Sequence, residues 1–567
     1  MDRIEENYQK WLNSANVSAT MKAKLLQMSP EEKVDAFFKD IEFGTAGMRG
    51  VLGPGTNRLN EFTLTKANVA FAQYLLNRFP KGQQMGVVIA HDNRHMSREF
   101  TLQTAATLNR YGFKTYIFDS LRPTPELSFA VRHLHTCAGI MITASHNPKE
   151  HNGYKIYDEQ GCQLVPEKIA PLLEIIETMP DVLDVFVDEL LPHGENILLS
   201  SEVDEAYIKA VLDIQINRDL PVKNYKIVFS PQHGASYTLA MRIFDSIHYH
   251  VIPVASQCDP DPDFKGTLTP NPEDPRAYIE PIKLAKMHQA ELVLITDPDA
   301  DRVGVAYRKR DGSYDLLNGN QSAAILLDYV LSQRQQKGLL SKHGAMYSTI
   351  VTSSFGKTIA ESYGLTSRLF LTGFKFIGSQ IQHDIENNGP NFEFGYEESY
   401  GCLIAPFVRD KDALQALVMY SEMACYYHQQ GLHLDEVYEN LCLRFGYHVD
   451  MVHAIEFKGL EGANRMVTIL KELRENPPKE ILNRRVICID DYLLSTHTCQ
   501  GVVTPIDLPK SDVIKLTLED QSTIIVRPSG TEPKCKFYYG IKGNDKEKVT
   551  ALPDLLHQEV LRLIRYQ

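Results

Sequence analysis

The stretches 138–148, AGIMITASHNP, and 292–302, LVLITDPDADR, decide the fold of this chain. In each, a short apolar run typical of a buried strand passes directly into a polar loop, and helix-period segments lie on either side. Strands that alternate with helices of about 10–15 residues indicate βαβ crossovers and a mostly parallel sheet. Because ligands of such sheets bind at the carboxyl ends of the strands, both loops are candidate functional sites.

The same order of elements recurs along the chain without a close sequence repeat. Residues 1–202, 203–316 and 317–446 predict three similar mixed α/β domains, each with a polar loop after an apolar strand. From residue 447 the pattern changes to strands, a hairpin and a terminal helix, which predicts a C-terminal α+β domain over 447–567. The length of 567 residues agrees with four domains at about 150 residues each.

Composition excludes several classes of protein. The net charge of −13 has the wrong sign for a general nucleic-acid binder or for a protein of anionic membrane surfaces. No apolar run approaches the ~18 residues that span a bilayer, and the first residues, MDRIEENYQKWL, predict no secretory signal. The nine cysteines form no CxxC pair and are odd in number. They therefore predict reduced thiols in a cytoplasmic protein, with neither a disulfide framework nor a zinc site.

The loop after the first of these strands offers a nucleophile. Ser145 stands at the strand end beside His146, in a turn set by Asn147-Pro148, and the segment NGYK follows at 152–155. The alternative is an ordinary turn in which the serine bonds only to the backbone. Because nothing matches the G-x-S-x-G pattern of α/β-hydrolases, acyl transfer is disfavoured.

The second loop predicts a metal site. Asp297, Asp299 and Asp301 stand at alternate positions, and in an extended segment such side chains project to one side. Three carboxylates this close need a cation, and oxygen ligands favour Mg²⁺ or Mn²⁺ over Zn²⁺. Calcium is the alternative, although the glycine and distal glutamate of an EF-hand loop are missing. A solvated acidic turn would not explain the position at the end of a buried strand.

Two further loops predict carbohydrate and phosphate binding. GYEESYG at 395–401 has paired carboxylates and a serine that suit sugar hydroxyls, although a helix start with acidic residues is the alternative. RPSGTEPK at 527–534 combines the arginine fork with hydroxyls and a glycine, a pattern suited to a phosphate, although a plain hairpin connection is the alternative. The segments EFGTAGMRG at 42–50, LTGFK at 371–375 and RDKDA at 409–413 add basic and small polar residues.

In combination and order, these motifs closely resemble the α-D-phosphohexomutase superfamily, over essentially the whole chain. The motifs TASHNP with NGYK, and DPDADR, are specific to this superfamily. The segments EFGTAGMRG, GYEESYG and RDKDA are most similar to the bacterial phosphoglucomutase branch. The resemblance implies three similar α/β domains and an α+β domain around a central cleft. It also implies Mg²⁺, one per chain, and glucose 1,6-bisphosphate as activator and intermediate.

The resemblance further implies roles for individual residues. Ser145 would be phosphorylated and would share the metal with Asp297, Asp299 and Asp301; His146, Lys155, Arg49 and Arg302 would surround it with positive charge and hydrogen bonds. Substrate would be bound by Thr372, Gly373, Lys375, Glu397, Ser399, Arg409, Arg527, Ser529, Gly530 and Thr531. The bifunctional phosphomannomutase/phosphoglucomutases have a histidine where this chain has Gly401, which argues against a histidine base from this loop. Lys411 matches the lysine of the glucomutase-like branch, and the resemblance therefore implies that it is the general acid/base.

The resemblance implies reversible interconversion of α-D-glucose 1-phosphate and glucose 6-phosphate, an isomerase reaction, in a cytoplasmic monomer or weak dimer without nucleic-acid or membrane partners. Alternatives are a phosphopentomutase or phosphomannomutase of the same superfamily, a metal-dependent sugar phosphatase and a non-catalytic sugar-phosphate-binding protein. The intact serine, aspartates and phosphate loop argue against the last.

Overall fold

The computed structural model describes residues 3–44, 47–457, 459–528 and 534–564. The chain divides into two compact units. The first unit contains residues 1–318, 374–389 and 399–430, and the second contains residues 319–373, 390–398 and 431–567.

The first unit begins with three helices that the sequence analysis did not predict. They are α1 (Arg3–Asn13), α2 (Ala19–Leu26) and α3 (Pro30–Phe37). Helix α3 begins with a capping box between Ser29 and Glu32 and has a proline in its first turn. The rings of Trp11 and Phe37 meet edge to face with centroids 6.1 Å apart, and both residues are almost completely buried. Aromatic burial therefore holds this helical layer together.

A six-stranded mixed sheet follows. Its elements are β1 (Met48–Val51), α4 (Glu61–Arg78), α5 (Gly82–Met85), β2 (Val87–His91), α6 (Ser97–Arg110), β3 (Thr115–Phe118), α7 (Thr124–His133), β4 (Ala138–Ile142), β5 (His151–Tyr157), α8 (Pro166–Thr178) and β6 (Asn196–Leu199). The strand order is β1-β5-β4-β2-β3-β6, and β4, β2, β3 and β6 are parallel. Strand β5 returns antiparallel to β4, so the Ser145 loop is the connection of a hairpin.

The second sheet of this unit repeats the plan. Its elements are α9 (Ser201–Leu212), β7 (Lys226–Ser230), α10 (Tyr237–Ser246), β8 (His250–Pro253), α11 (Ile279–His288), β9 (Leu292–Thr296), β10 (Val303–Arg308) and β11 (Tyr314–Leu317). The order is β11-β10-β9-β7-β8, with β9, β7 and β8 parallel and β10 antiparallel to β9. The acidic loop therefore also connects a parallel strand to its antiparallel neighbour.

The third α/β segment contributes to both units. Its elements are α12 (Gly319–Gln336), β12 (Gly344–Thr349), α13 (Ser354–Ser362), β13 (Thr366–Phe370), α14 (Phe374–Glu386), β14 (Asn391–Glu397), β15 (Gly401–Leu403), α15 (Ala413–Gln429) and α16 (Leu434–Phe445). Strand β12 lies parallel to β13 on one side and to β14 on the other. Helices α14 and α15 and strand β15 belong to the first unit, and the other elements of this segment belong to the second.

The C-terminal segment is an antiparallel sheet with helices. Its elements are β16 (Tyr447–Glu456), α17 (Gly459–Glu475), β17 (Glu480–Ile481), β18 (Arg484–Asp491), β19 (Thr496–Cys499), β20 (Val502–Pro505), β21 (Ile514–Leu518), β22 (Thr523–Pro528), β23 (Lys534–Gly543) and α18 (Lys546–Leu563). The order is β16-β23-β22-β21-β18-β19-β20, and β17 pairs with β18. The predicted class, α/β segments followed by α+β, is confirmed.

One pair of cysteines differs from the expectation of reduced thiols. The structure bonds Cys488 to Cys499 in a disulfide, whereas the other seven cysteines are free and buried. The prediction of reduced thiols rested on the absence of a CxxC pair and on the odd number of cysteines. An antiparallel pair of strands, here β18 and β19, also brings together residues far apart in sequence.

No helix within the described ranges is long and apolar enough to cross a membrane.

Replacing Phe37 by alanine should lower the free energy of unfolding of the first unit by about 3–5 kcal/mol, because it removes a fully buried ring and leaves a cavity. Urea denaturation monitored by fluorescence of the neighbouring Trp11 measures this loss. Phe186→Ala is the matched control, since that side chain is 81% exposed and its removal should change little. Equal transitions in the two variants would contradict the packing role of Phe37.

Candidate functional site

The site is built around Ser145, which follows β4 and is 3% exposed. Its φ of 51° lies in the left-handed region, which is uncommon for a residue other than glycine and is found at functional turns. The Ser145 hydroxyl donates to Asp297 Oδ2 at 2.6 Å and lies 3.2 Å from Nδ1 of His146. The predicted nucleophile is therefore in direct contact with the predicted metal loop.

A buried arginine holds this loop by its main chain. The Arg94 guanidinium donates to the carbonyl oxygens of Ser145, Asn147, Pro148 and His151, the last two at 2.9 and 3.0 Å. Four carbonyls on one rigid cation fix the course of the backbone without using any loop side chain.

Asp92 forms an ion pair with Arg94 and so helps to fix its position. Its carboxylate lies 3.3 Å from Arg94 Nε and accepts hydrogen bonds from the hydroxyls of Thr143, at 2.5 Å, and Ser97, at 2.9 Å. The Thr143 hydroxyl oxygen in turn accepts the backbone N–H of Ser145 at 2.8 Å. Burial raises the pKa of Asp92, and the charge of Arg94 opposes that shift. The sequence analysis missed Asp92, Arg94 and Thr143; the available signal was the polar run at the end of strand β2.

The acidic loop is a compact turn. Asp297, Asp299 and Asp301 are all buried, and one carboxylate oxygen of each lies within 4.8 Å of those of the other two. The expectation that they would align in an extended segment is wrong, because the chain turns after β9 with Ala300 at a φ of 56°. The backbone N–H groups of Asp301 and Arg302 donate to Asp297 Oδ1, both at 3.1 Å. The turn, and not strand alternation, brings the three carboxylates together.

The donor set fits a hard divalent cation. The buried Oδ1 atoms of Asp299 and Asp301 have no hydrogen-bond partner among the described residues. A buried carboxylate oxygen without a partner is costly, and a bound cation would remove that cost. Within the described ranges, one other group of potential ligands meets the same distance criterion, and it contains two cysteines and a histidine. The aspartate cluster is therefore the oxygen site that Mg²⁺ or Mn²⁺ would favour.

Two lysines balance the negative charge. Lys155 Nζ, on β5, lies 2.7 Å from Asp299 Oδ2, and Lys411 Nζ lies 3.2 Å from Asp301 Oδ2. Burial, and then the charges of Asp301 and Asp299, raise the pKa of Asp297 well above its usual value. Burial alone would also raise the pKa of Asp299, but the charge and hydrogen bond of Lys155 outweigh it and hold that pKa below the usual value.

Thr124, at the start of α7, makes another contact to the acidic loop that was not predicted from the sequence. Its hydroxyl donates to Asp299 Oδ2 at 2.9 Å, and its backbone N–H donates to the Asp299 carbonyl at 2.8 Å. A residue of the first sheet's helix layer thus fixes the loop of the second sheet.

The predicted arginines lie near the serine but have protein partners. Arg49 Nη1 donates to Asn147 Oδ1 at 3.2 Å, and Arg302 Nη1 lies 2.5 Å from Glu273 Oε1. Burial, and then the positive charges of Arg302 and Arg49, lower the pKa of His146 well below its usual value, so its ring is neutral. Because the Ser145 proton goes to Asp297, the neutral ring can donate Nδ1–H to the Ser145 oxygen and so orient the hydroxyl.

Gly401 explains how Lys411 reaches the site. A Cβ at this position would lie 2.0 Å from Lys411 Cδ, so any side chain there would displace the lysine. A histidine at position 401 would occupy the space through which the Lys411 side chain passes, so the glycine allows the lysine to reach the site.

Two predicted substrate residues of the first unit contact other protein groups. Arg409 is 1% exposed, and its guanidinium donates to Gln382 Oε1 at 2.7 Å and to the Val408 carbonyl at 3.1 Å. Burial, with a smaller contribution from the charge of Arg132, lowers the pKa of Arg409 to about 9. Lys375 Nζ lies 5.2 Å from the centre of the Phe376 ring. The structure gives Arg409 a bracing role in the loop before α15.

In the second unit, two of the predicted sugar-binding segments meet. Glu397 Oε1 accepts the backbone N–H of Gly373 at 2.8 Å. The neighbouring Glu398 accepts the Thr352 hydroxyl at 2.9 Å. The buried Thr372 hydroxyl has no hydrogen-bond partner among the residues described. Ser399 belongs to the first unit, in the turn before β15.

The predicted phosphate loop is described only at its start. Arg527 lies near the end of β22, opposite Lys536 of β23, and is half-buried. Ser529, Gly530 and Thr531 lie outside the described residues.

Comparison with known proteins gives a consistent result. Models of phosphoglucomutase/phosphomannomutase α/β/α domains I, II and III match residues 40–181, 205–312 and 318–445. A phosphoglucomutase of Staphylococcus epidermidis is 38% identical over 516 residues, which cover 90% of this chain and 92% of that protein. One of Staphylococcus aureus is 37% identical over 95% of this chain and 96% of its own length.

Among solved structures, the open form of parafusin, a phosphoglucomutase of Paramecium, matches with a TM-score of 0.66 at 19% identity, covering 92% of this chain and 94% of its own. At this identity the match shows a shared fold.

Replacing Asp299 by asparagine should weaken Mn²⁺ binding about tenfold or more, because it removes one of the negative charges that bind the cation. Electron paramagnetic resonance of free Mn²⁺, titrated with the protein, measures the affinity. Asp311→Asn is the control, since that exposed residue lies in the turn between β10 and β11. Unchanged Mn²⁺ affinity in Asp299→Asn would contradict the proposed cation site.

Proposed function

Because the chain belongs to the phosphoglucomutase/phosphomannomutase family, we propose that it interconverts α-D-glucose 1-phosphate and glucose 6-phosphate. It is an isomerase of the phosphohexomutase class. The observation that carries the proposal is the contact of 2.6 Å between the Ser145 hydroxyl and Asp297 of the three-carboxylate loop. The relatives named as phosphoglucomutases support glucose as the sugar.

Ser145 is proposed to carry the phosphoryl group that is exchanged. The bond from its Oγ to phosphorus breaks as a free hydroxyl of the sugar monophosphate forms a new bond to the same phosphorus, which gives glucose 1,6-bisphosphate. The bisphosphate then reorients within the site. Its other phosphoryl group is transferred to Ser145 Oγ, and the product monophosphate leaves. Each half-reaction moves one phosphoryl group and one proton in opposite directions, so the enzyme is regenerated.

Asp297, Asp299 and Asp301 are proposed to hold Mg²⁺, which the Oδ1 atoms of Asp299 and Asp301 support because no described residue is hydrogen-bonded to them. When bound, such a cation withdraws charge from phosphoryl oxygens and so lowers the barrier to transfer. The protein's own contribution is positioning: Arg94 fixes the loop, and the Asp297 carboxylate orients the serine oxygen before it is phosphorylated. Phosphoryl transfer depends mainly on such positioning and charge neutralisation.

Lys411 is proposed to exchange the proton of the reacting sugar hydroxyl at Nζ. It lies 3.2 Å from Asp301 and 5.9 Å from the centre of the Phe374 ring, so it is held among groups of the site. Lys155, Arg49, Arg302 and His146 are proposed to surround the phosphoserine with positive charge and hydrogen-bond donors. Within the described contacts, Lys155 is the cation closest to Asp299.

The remaining predicted residues are proposed to bind the substrate. Glu397, Thr372 and Gly373 would contact sugar hydroxyls with Ser399 and Lys375, and the Arg527 loop would bind the phosphate that does not react. Arg409 is proposed to act through the loop that it braces. We further propose that the enzyme works in the cytoplasm, as a monomer or weak dimer, with sugar phosphates as its partners.

Ser145→Ala should lower kcat for glucose 1-phosphate by about 10³-fold or more, because it removes the oxygen that carries the phosphoryl group. A coupled assay for glucose 6-phosphate, started with a trace of bisphosphate, measures the rate. Intact-mass analysis should find one phosphoryl group on the unmodified chain and none on the variant. Ser246→Ala, at an exposed position on α10, is the control and should keep full activity.

Full activity of Ser145→Ala would reject the mechanism. A dye for inorganic phosphate in the same reaction tests the phosphatase alternative, which is supported if phosphate appears as fast as glucose 6-phosphate. Faster turnover of mannose 1-phosphate or ribose 1-phosphate than of glucose 1-phosphate would reassign the substrate.

Arg527→Ala should raise KM for glucose 1-phosphate about 10- to 100-fold with little change in kcat. A hydrogen bond to a charged group contributes about 1.5–3 kcal/mol, and the non-reacting phosphate is bound in ground and transition states alike. Initial rates at varied substrate concentration give both constants. Arg485→Ala, whose side chain is 76% exposed and pairs with Glu519 at 2.8 Å, is the control. An unchanged KM in Arg527→Ala would reject this role.

A further inference from the structure

A hairpin of the C-terminal sheet places four metal-binding side chains on one face. Strands β18 and β19 pair antiparallel, with Cys488 opposite Cys499 and Asp490 opposite His497. Because side chains alternate along a strand, these four share one side of the hairpin. On β18, Ile489 lies between Cys488 and Asp490, and its side chain packs instead against the hydrophobic core of this sheet. The four side chains are half-buried, so the face is partly open to solvent.

Three of these groups lie close enough together to share one metal ion once the two thiols are reduced. The two sulfur atoms and one ring nitrogen of His497 all fall within 4.8 Å of one another. The Cα atoms of Cys488 and Cys499 are 4.1 Å apart, as in the close type of antiparallel pair, where side chains are nearest. The chain spacing, Cys488 with His497-x-Cys499, is not a CxxC pattern. The absence of a CxxC pair therefore does not exclude zinc at this hairpin.

We propose that, with both thiols reduced, Cys488, His497 and Cys499 bind one zinc ion, with the fourth position left to water or another ligand. Two thiolates with an imidazole are ligands that Zn²⁺ favours, and three protein ligands leave an open coordination position. Binding releases the two thiol protons to solvent as the two Zn–S bonds form. This site is separate in residues and in ligand chemistry from the three aspartates, whose oxygen atoms suit a harder cation.

Asp490 acts as a positioning residue in this site. Its carboxylate is hydrogen-bonded to Nδ1 of His497, which leaves Nε2 as the basic ring nitrogen. A carboxylate behind a metal-binding histidine fixes the ring orientation and raises its basicity. On the other side, Lys515 of β21 stands opposite Asp490, and the charge of Asp490 acts on it. Asp490 is thus shared between His497 and Lys515, which suits a supporting carboxylate better than a direct ligand.

The disulfide between Cys488 and Cys499 is the competing state. A disulfide offers no thiolate, so the bonded pair and the zinc site exclude each other. The disulfide would need only the two cysteines, whereas the structure also places a histidine oriented by a carboxylate in the adjacent register pair. That second pair favours the metal site.

Titration of the reduced full-length chain with Co²⁺, in excess Mg²⁺ to occupy the aspartate cluster, tests the proposal. One Co²⁺ per chain should bind with an ultraviolet thiolate-to-cobalt charge-transfer band and a tetrahedral visible spectrum, and stoichiometric Zn²⁺ should abolish both. Oxygen ligands give no thiolate band, so binding at the aspartates is distinguishable. Absence of the band from the reduced chain would overturn the proposal and leave a disulfide only.

Variants identify the ligands. Cys499→Ser should remove most of the thiolate band, and Asp490→Asn should weaken Zn²⁺ binding about 10- to 100-fold, the usual effect of losing a supporting carboxylate. His250→Gln, at an exposed position on β8, is the matched control and should bind zinc normally. Each variant should isomerise glucose 1-phosphate at the rate of the unmodified chain, which shows that it is folded. Zinc affinity unchanged in Cys499→Ser or in Asp490→Asn would overturn the assigned ligand or positioning role.

Discussion

The burial of three carboxylates at one point is the constraint on which the rest of the structure depends. Asp297, Asp299 and Asp301 are at most 4% exposed, and like charges so close together destabilise the folded state unless they are balanced. The protein supplies Lys155 from β5, Lys411 from the loop before α15, and backbone N–H groups from the acidic turn itself. These contributors come from three separate segments, so the site also ties those segments together.

Two hairpins of the same design carry the Ser145 loop and the aspartate loop. In each α/β sheet of the first unit, a parallel strand ends in the functional loop and the next strand returns antiparallel beside it. A parallel strand followed by a crossover helix would carry the chain away from the loop. The antiparallel return instead sends Lys155 back along β5, where its ammonium group meets Asp299.

Much of this arrangement could be predicted, and the limits have physical causes. The apolar runs that open the stretches 138–148 and 292–302 form strands Ala138–Ile142 and Leu292–Thr296, because a short apolar run directly reflects burial. Ser145 and the aspartates were found because motifs are local in sequence. Arg94 and Thr124 were missed because their polar contacts to the two loops join residues that are far apart in sequence and form no local motif. Arg409 is locally part of a charged motif, and only the fold shows that its guanidinium is used by Gln382.

Arg94 binds the nucleophile loop entirely through main-chain oxygens, at Ser145, Asn147, Pro148 and His151. Main-chain carbonyls are present whatever side chain a residue carries. Part of what sets the shape of the loop is therefore encoded outside it, in a residue that follows β2. Positions 149 and 150 can accumulate substitutions, in evolution or in a designed library, while the backbone that presents the serine keeps its course.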